Sequence, residues 1–162
     1  MTSYEYEIKE MNLSGEIKMT NITIRRLELR DKKAIFEIQE AITKHKADKD
    51  WGQLVEGYIK NSGETSLVAE VNGQVVGFML GDIKVFGFGA PRSGWIEVIG
   101  VHPRHMGSGV GKKLGHELIR IFKNKKVKHI FTSVRWDSGD LLAFFKSIGF
   151  DRSDFINLES KI

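Results

Sequence analysis

The chain has 162 residues, 41% of them hydrophobic and 28% charged, with a formal net charge of +4. That length and mix suit one globular domain with an ordinary core rather than a disordered chain. Cysteine is absent, which excludes disulfides, thiolate metal sites and a cysteine nucleophile together.

Residues 1–20 mix Glu, Lys and Tyr without clear periodicity and read as an N-terminal extension to a domain over 21–162. They lack the apolar core of a signal peptide, and no apolar run approaches the ~18–20 residues that cross a bilayer, so the expected location is the cytoplasm. Ile22 to Leu27 reads as a strand. After Asp31, an expected N-cap, Ala34, Ile35, Ile38, Ala41 and Ile42 repeat at helical spacing. A second helix is expected from Asp50, with Trp51, Leu54, Val55, Tyr58 and Ile59 on one face and Ser62-Gly63 as its stop. These stripes read mainly as core.

Ser66 to Val71 and Gln74 to Val85 are apolar, β-rich runs joined by Asn72-Gly73, the signature of a two-residue type I′ hairpin. Phe86 to Gly94 reads as a Gly-rich loop that could border a pocket. A strand over Trp95 to Val101, a helix over residues 107–124, a strand over His129 to Val134, a helix from about Asp140 to Ile148 and a last strand over Phe155 to Leu158 complete the chain.

The stretch between the Trp95–Val101 strand and the following helix carries the strongest signal. Glycines alternate at 107, 109 and 111, although glycine costs stability inside regular structure. A helix that begins there offers unpaired N–H groups and its positive dipole end, which together favour an anion such as a phosphate or pyrophosphate. The dinucleotide pattern G-x-G-x-x-G fails because Lys112 stands at the third glycine. The phosphate-loop pattern fails because Met106 stands five before Gly111 and Lys113 replaces the hydroxyl residue. What remains is a strand, Val101-x-Pro103, a basic residue, Gly107-x-Gly109-x-Gly111 and a helix. That arrangement resembles the pyrophosphate loop of the GCN5-related N-acetyltransferases, the GNAT superfamily, and the expected element order β-α-α-β-β-β-α-β-α-β over residues 22–162 is that of their fold.

The resemblance implies an α/β (α+β) fold with a mixed, mostly antiparallel sheet. It also implies acetyl-coenzyme A as co-substrate and direct acetyl transfer to an amine. The backbone of Val98, Ile99, Gly100 and Val101 would hold the acetyl and pantetheine arm, its N–H groups polarising the thioester carbonyl. Arg104, His105, Met106, Gly107, Ser108, Gly109, Val110, Gly111 and Lys112 would hold the pyrophosphate, mainly by main-chain N–H groups. Met106 stands where the family motif Q/R-x-x-G-x-G/A has its polar residue, so that side-chain contact is lost. The second family motif, N-x-x-A-x-x-[FL]-Y-x-x-x-G-F, falls on Ser138 to Phe150. Ser138 replaces its Asn, and Phe145 replaces the tyrosine that protonates the departing thiolate. A thiol with a pKa near ~8.5 can leave with little help, so turnover without that donor is the favoured expectation.

An acceptor amine with a pKa near ~10.4 must lose a proton before it attacks. Glu97, inside the Trp95–Val101 strand, is the candidate catalytic base. Strand alternation predicts it on the side of Trp95 and Ile99, opposite Ile96 and Val98; a solvated glutamate or one paired with Arg92 is the competing expectation.

Two further classes of function fit parts of the same sequence. A non-catalytic acyl-coenzyme A sensor would suit Phe145. A basic nucleic-acid-binding module would suit the run from His102 to His129, where Arg104, Lys112, Lys113, Arg120, Lys123, Lys125, Lys126 and Lys128 face one acid, Glu117. No aromatics interleave these charges, so nucleic acid is not the expected partner. His102 and His105 lack a third ligand, so no metal is expected. The expected partners are acetyl-coenzyme A and an amine acceptor, without a membrane, and a homodimer stays open.

Overall fold

Asn72 and Gly73 have φ values of 51° and 76°, the paired positive angles of a type I′ turn, and the strands they join organise the sheet. In this computed structural model residues 3–11, 14–85 and 91–162 are described; 86–90, the centre of the expected Gly-rich loop, lie outside them. The elements are β1 (Tyr4–Met11), β2 (Ile17–Arg26), α1 (Lys32–Thr43), α2 (Lys49–Asn61), β3 (Ser66–Val71), β4 (Gln74–Lys84), β5 (Ser93–Val101), α3 (Val110–Asn124), β6 (His129–Thr132) and α4 (Gly139–Ser147). The strands form one six-stranded sheet in chain order, antiparallel except for β5 beside β6. This is the expected mixed, mostly antiparallel α/β fold.

Alternation along the strands divides the core between two faces. Leu67, Ala69, Met79 and Ile96 pack with Leu114, Leu118 and Phe122 of α3. Val68, Phe78 and Leu80 pack with Ile35 and Ile38 of α1 and Val55 of α2. Burying one such side chain contributes roughly 1.5–3 kcal/mol, so the two faces hold the helices independently of the loops between them.

Four expectations need correction. Residues 4–11 are no extension: β1 pairs with β2 from Tyr4–Ile24 to Met11–Ile17, so the expected boundary at residue 20 falls inside β2. Ile8 is buried in the α3-side core, and the Tyr6 hydroxyl donates to Glu117 at 2.9 Å; Tyr4, Tyr6 and Ile8 alternate with exposed Glu5, Glu7 and Lys9, a strand period that the reading as an extension leaves unused. Phe155 to Leu158 form no strand among the described residues; the segment is exposed, held by Phe155 against the Phe131 ring and by Asn157 Nδ2 donating to Ser133 Oγ at 3.1 Å. Asp31 precedes α1 but makes no side-chain cap, because Arg25 engages both its oxygens at 2.7 Å. Residues 107–109 are turn rather than helix, since Gly107 and Gly109 sit at φ 78° and 100°, outside the helical region.

Candidate active site

The pairing of β5 changes at its middle. The parallel ladder with β6 runs only from Ser93–His129 to Ile96–Thr132. From Glu97 to Val101, no strand among the described residues pairs with β5 on that side. A gap flanked by unpaired strand backbone follows, and Val98, Ile99, Gly100 and Val101 lie along it.

On the other side of β5 the register slips. Leu80 pairs with Val98 and Gly81 with Ile96, so Glu97 is the extra residue of a β-bulge. The expected alternation is therefore corrected. Ile96 packs with Ile99 and Val101 on the α3 face, while Val98 packs on the α1–α2 face. One inserted residue turns the second half of the strand over, and Glu97 sits at the turning point, beside the start of the gap.

Beyond β5, Pro103–His105 form a single 3-10 turn. His102 Nδ1 accepts from the Arg104 N–H at 3.3 Å, and Ser108 Oγ donates to the His105 carbonyl at 2.6 Å. Burial, with His105, Arg104 and Lys44 nearby, holds the His102 imidazole below its ordinary pKa, which fits its acceptor role. The turn then reaches α3 with no capping side chain among the described residues, leaving the first-turn N–H groups of Val110, Gly111 and Lys112 without intrahelical acceptors. A Cβ at Gly107 would meet nothing within 4 Å, so its backbone faces open space. Arg104, Met106 and Lys112 are exposed at this turn, and His105 is partly so.

The second predicted motif falls on α4 and its flanks. Ser138 stands just before α4, its N–H bonded to the Arg135 carbonyl at 3.0 Å. Phe144 lies against the loop: a Cβ on Gly111 would come 3.1 Å from the Phe144 ring and 3.7 Å from Ile99. Phe145 is instead a core residue, its ring packed on those of Phe144 and Phe150 at 5.0 and 5.3 Å. Of the two phenylalanines, Phe144 is the one brought to the loop.

Around Glu97 the structure assembles residues that no local pattern announced. Lys84 Nζ bonds to Glu97 Oε1 and lies 5.0 Å from the centroid of the Trp95 ring. Arg92, the expected alternative partner, donates to the Lys125 carbonyl. Tyr58 of α2 is pushed up to about 12, by burial first and then by Glu97 and Asp82, so its phenol keeps its proton at neutral pH. The Asp82 carboxylate accepts from Ser62 Oγ at 3.0 Å and from the Ile83 N–H at 2.7 Å. Trp95 also meets Phe131 of β6, ring centroids 5.5 Å apart. Tyr58 reads in the sequence as one more apolar stripe residue, and Lys84 and Asp82 as strand polars. The nearness of Lys84 and Tyr58 to Glu97 comes from cross-strand register and from the crossing of α2.

The basic excess after His102 is partly neutralised. Arg120 bonds to buried Glu117 at 2.6–3.2 Å, Lys125 pairs with Glu64, and Lys113 lies over the Tyr6 ring. Among the described residues no group of three or more His, Cys, Asp or Glu could hold a metal ion, and no helix is long and apolar enough to cross a membrane.

The profile of the acetyltransferase (GNAT) family matches residues 26–150. The chain belongs to that family. Acetyl-coenzyme A is the co-substrate of GNAT enzymes, and the matched span includes the bulge, the gap and the glycine turn. A mycothiol acetyltransferase from Amycolatopsis mediterranei is 30% identical over 90 residues, which is 54% of this chain but 30% of that protein. The chain thus matches less than a third of that relative's length. Among solved structures, the aminoglycoside N-acetyltransferase AAC(6')-Iy in complex with CoA superposes with a TM-score of 0.73 at 18% identity, covering 88% of this chain and 95% of that one. The aminoglycoside 6'-N-acetyltransferase AAC(6')-IG from Acinetobacter haemolyticus gives 0.67 at 22% identity, covering 86% and 97%. At these identities the likeness is one of GNAT fold.

Proposed function

We propose that this chain moves an acetyl group from acetyl-coenzyme A directly to a primary amine of a small molecule or protein, with Glu97 as the base. The observation that carries the reading is the end of the β5–β6 ladder at Ile96–Thr132 beside a bulge that carries a carboxylate. Unpaired backbone is what an amide-containing arm can hydrogen-bond to, and the carboxylate stands where that arm would deliver its acyl end.

Acetyl-coenzyme A supplies the activated acetyl thioester. The backbone of Val98 to Val101 binds the arm along the gap and polarises the thioester carbonyl. Gly107 to Lys112 bind the pyrophosphate through main-chain N–H groups, the open φ > 0 turn giving close approach without side-chain obstruction. Arg104 and His105 add positive charge at its rim. Ser138 and Phe145 support the same site from α4, Phe145 from within the core. Glu97 Oε1 or Oε2 takes the proton from the acceptor amine, a step worth ~10²–10⁴ in rate. Tyr58, neutral and close to Glu97 and Asp82, is a donor for orienting the acceptor. The aminoglycoside acceptors named for the structural neighbours support a small polyamine or aminosugar as the first substrates to try.

The test pairs calorimetric titration of acetyl-coenzyme A with a thiol-release assay over aminoglycosides, a polyamine and a lysine peptide. The reading expects acetyl-coenzyme A binding and amine-dependent release of thiol. Binding without amine-dependent release would make the chain a sensor. No binding at millimolar ligand, with salt-sensitive binding of nucleic acid, would replace the reading altogether.

A further inference from the structure

Lys84 closes β4, and its side chain does what an acceptor substrate must do. Its Nζ, a primary alkylamine, sits on the Glu97 carboxylate and over the face of Trp95. A carboxylate and an aromatic face are the two surfaces that bind an alkylammonium best. Lys84 Nζ is on Glu97, while the nearby Asp82 carboxylate accepts from Ser62 Oγ and from the Ile83 N–H at Oδ1 and Tyr58 is a neutral phenol. The lysine amine therefore stands at the carboxylate assigned to deprotonate the acceptor.

We propose that Lys84 is a self-acetylation site, modified by the chain's own reaction with acetyl-coenzyme A in the absence of an external amine. The proposal rests on the reading of Glu97 as base given above. In the step, Glu97 takes a proton from the Lys84 ammonium, and Nζ forms an amide bond to the acetyl carbonyl carbon. The carbon–sulfur bond breaks, and coenzyme A leaves as the thiol. The product is neutral. Acetyl-Lys84 can neither pair with Glu97 nor hold its place over Trp95 as a cation, so the carboxylate is released to an incoming amine. Lys84 is thus both the first acceptor and a plug that its own acetylation removes.

Other lysines provide internal controls. Lys32, Lys33 and Lys125 also pair with carboxylates, on Glu56, Glu37 and Glu64, but those carboxylates lie on α2, on α1 and ahead of β3, away from the β5 gap. The experiment incubates the full chain with acetyl-coenzyme A and no amine, then follows acetyl incorporation at each lysine by peptide mass spectrometry alongside free thiol. Lys84 is expected to be acetylated at least ~100-fold faster than Lys32, Lys33 or Lys125, with one thiol released per acetyl-Lys84. Glu97→Gln should remove that preference. Lys84→Arg, which keeps a positive charge but has no acylatable amine at this pH, should abolish the acceptor-free thiol release. Acetylation of Lys84 no faster than of Lys33, or undiminished thiol release from Lys84→Arg, overturns the proposal. If external amines are still acetylated in that case, the proposed function stands without it; if acetyl-coenzyme A does not bind, both fall.

Discussion

Two glutamates of this chain each meet a basic side chain, and they are built for opposite purposes. Glu117 is 1% exposed on α3 and has both oxygens occupied, Oε1 and Oε2 by Arg120 and Oε2 also by the Tyr6 hydroxyl. Glu97 is 28% exposed on a bulge and is held by Lys84 at Oε1. A buried carboxylate with every lone pair satisfied cannot give up a partner without a desolvation penalty, so it fixes structure. A carboxylate at a strand irregularity, part-exposed and paired at one oxygen among the described residues, can exchange its partner for a substrate. The same residue type thus pins β1 to α3 in one place and sits on the β5 bulge in the other.

The comparison breaks most sharply at Glu97. Glu97→Gln should lower amine-dependent thiol release by at least ~100-fold while leaving the melting temperature and the affinity for acetyl-coenzyme A nearly unchanged. Parental rates in that variant would move the base elsewhere. Glu117→Ala should do the reverse, costing about 2–3 kcal/mol in denaturant unfolding because it orphans the Tyr6 hydroxyl and opens a cavity beneath β1; the half-exposed Arg120 can turn to water, which keeps the loss at that level. Gly109→Ala tests the loop between the two regions. Its φ of 100° costs an alanine about 1–2 kcal/mol, and acetyl-coenzyme A affinity should fall with it in calorimetry.

The smallest effect belongs to Tyr6. Burial, its hydrogen bond to Glu117 and that carboxylate's charge push its phenol from 10.0 up to about 12. A pKa raised in the folded state gives stability that is complete below the unfolded value and is lost as pH rises through the folded one. Unfolding free energy should therefore decline between about pH 10 and pH 12. Tyr6→Phe should cost about 1 kcal/mol at neutral pH and flatten that alkaline decline, as measured by urea midpoints across the range.

Much of the scaffold was legible in the sequence because its causes are local. Asn72-Gly73 could only be a tight hairpin, the apolar stripe from Val110 to Phe122 could only be a helix laid on a sheet, and the alternating glycines marked a backbone that must bend. The two ends differ from this: β1 carries its own alternation of Tyr4, Tyr6 and Ile8 with Glu5, Glu7 and Lys9, but nothing local says what that face packs against. β1 earns its place through Tyr6 and Ile8, whose partners lie about a hundred residues away in sequence on α3. Phe155 to Leu158 has strand-like composition, yet among the described residues no ladder includes it.

The candidate site divides the same way. The glycine turn and the carboxylate of Glu97 are visible as features in the sequence, since a glycine-punctuated helix start and a charged residue in an apolar strand each stand out in one dimension. The bulge that turns β5 over at Glu97, the end of the β5–β6 ladder, and the approach of Lys84 and Tyr58 to one carboxylate were decided only in the folded chain. Periodicity records which way a residue faces within its own element. Register between strands and the crossing of helices over them are set by packing of the whole core, and those decided what Glu97 touches.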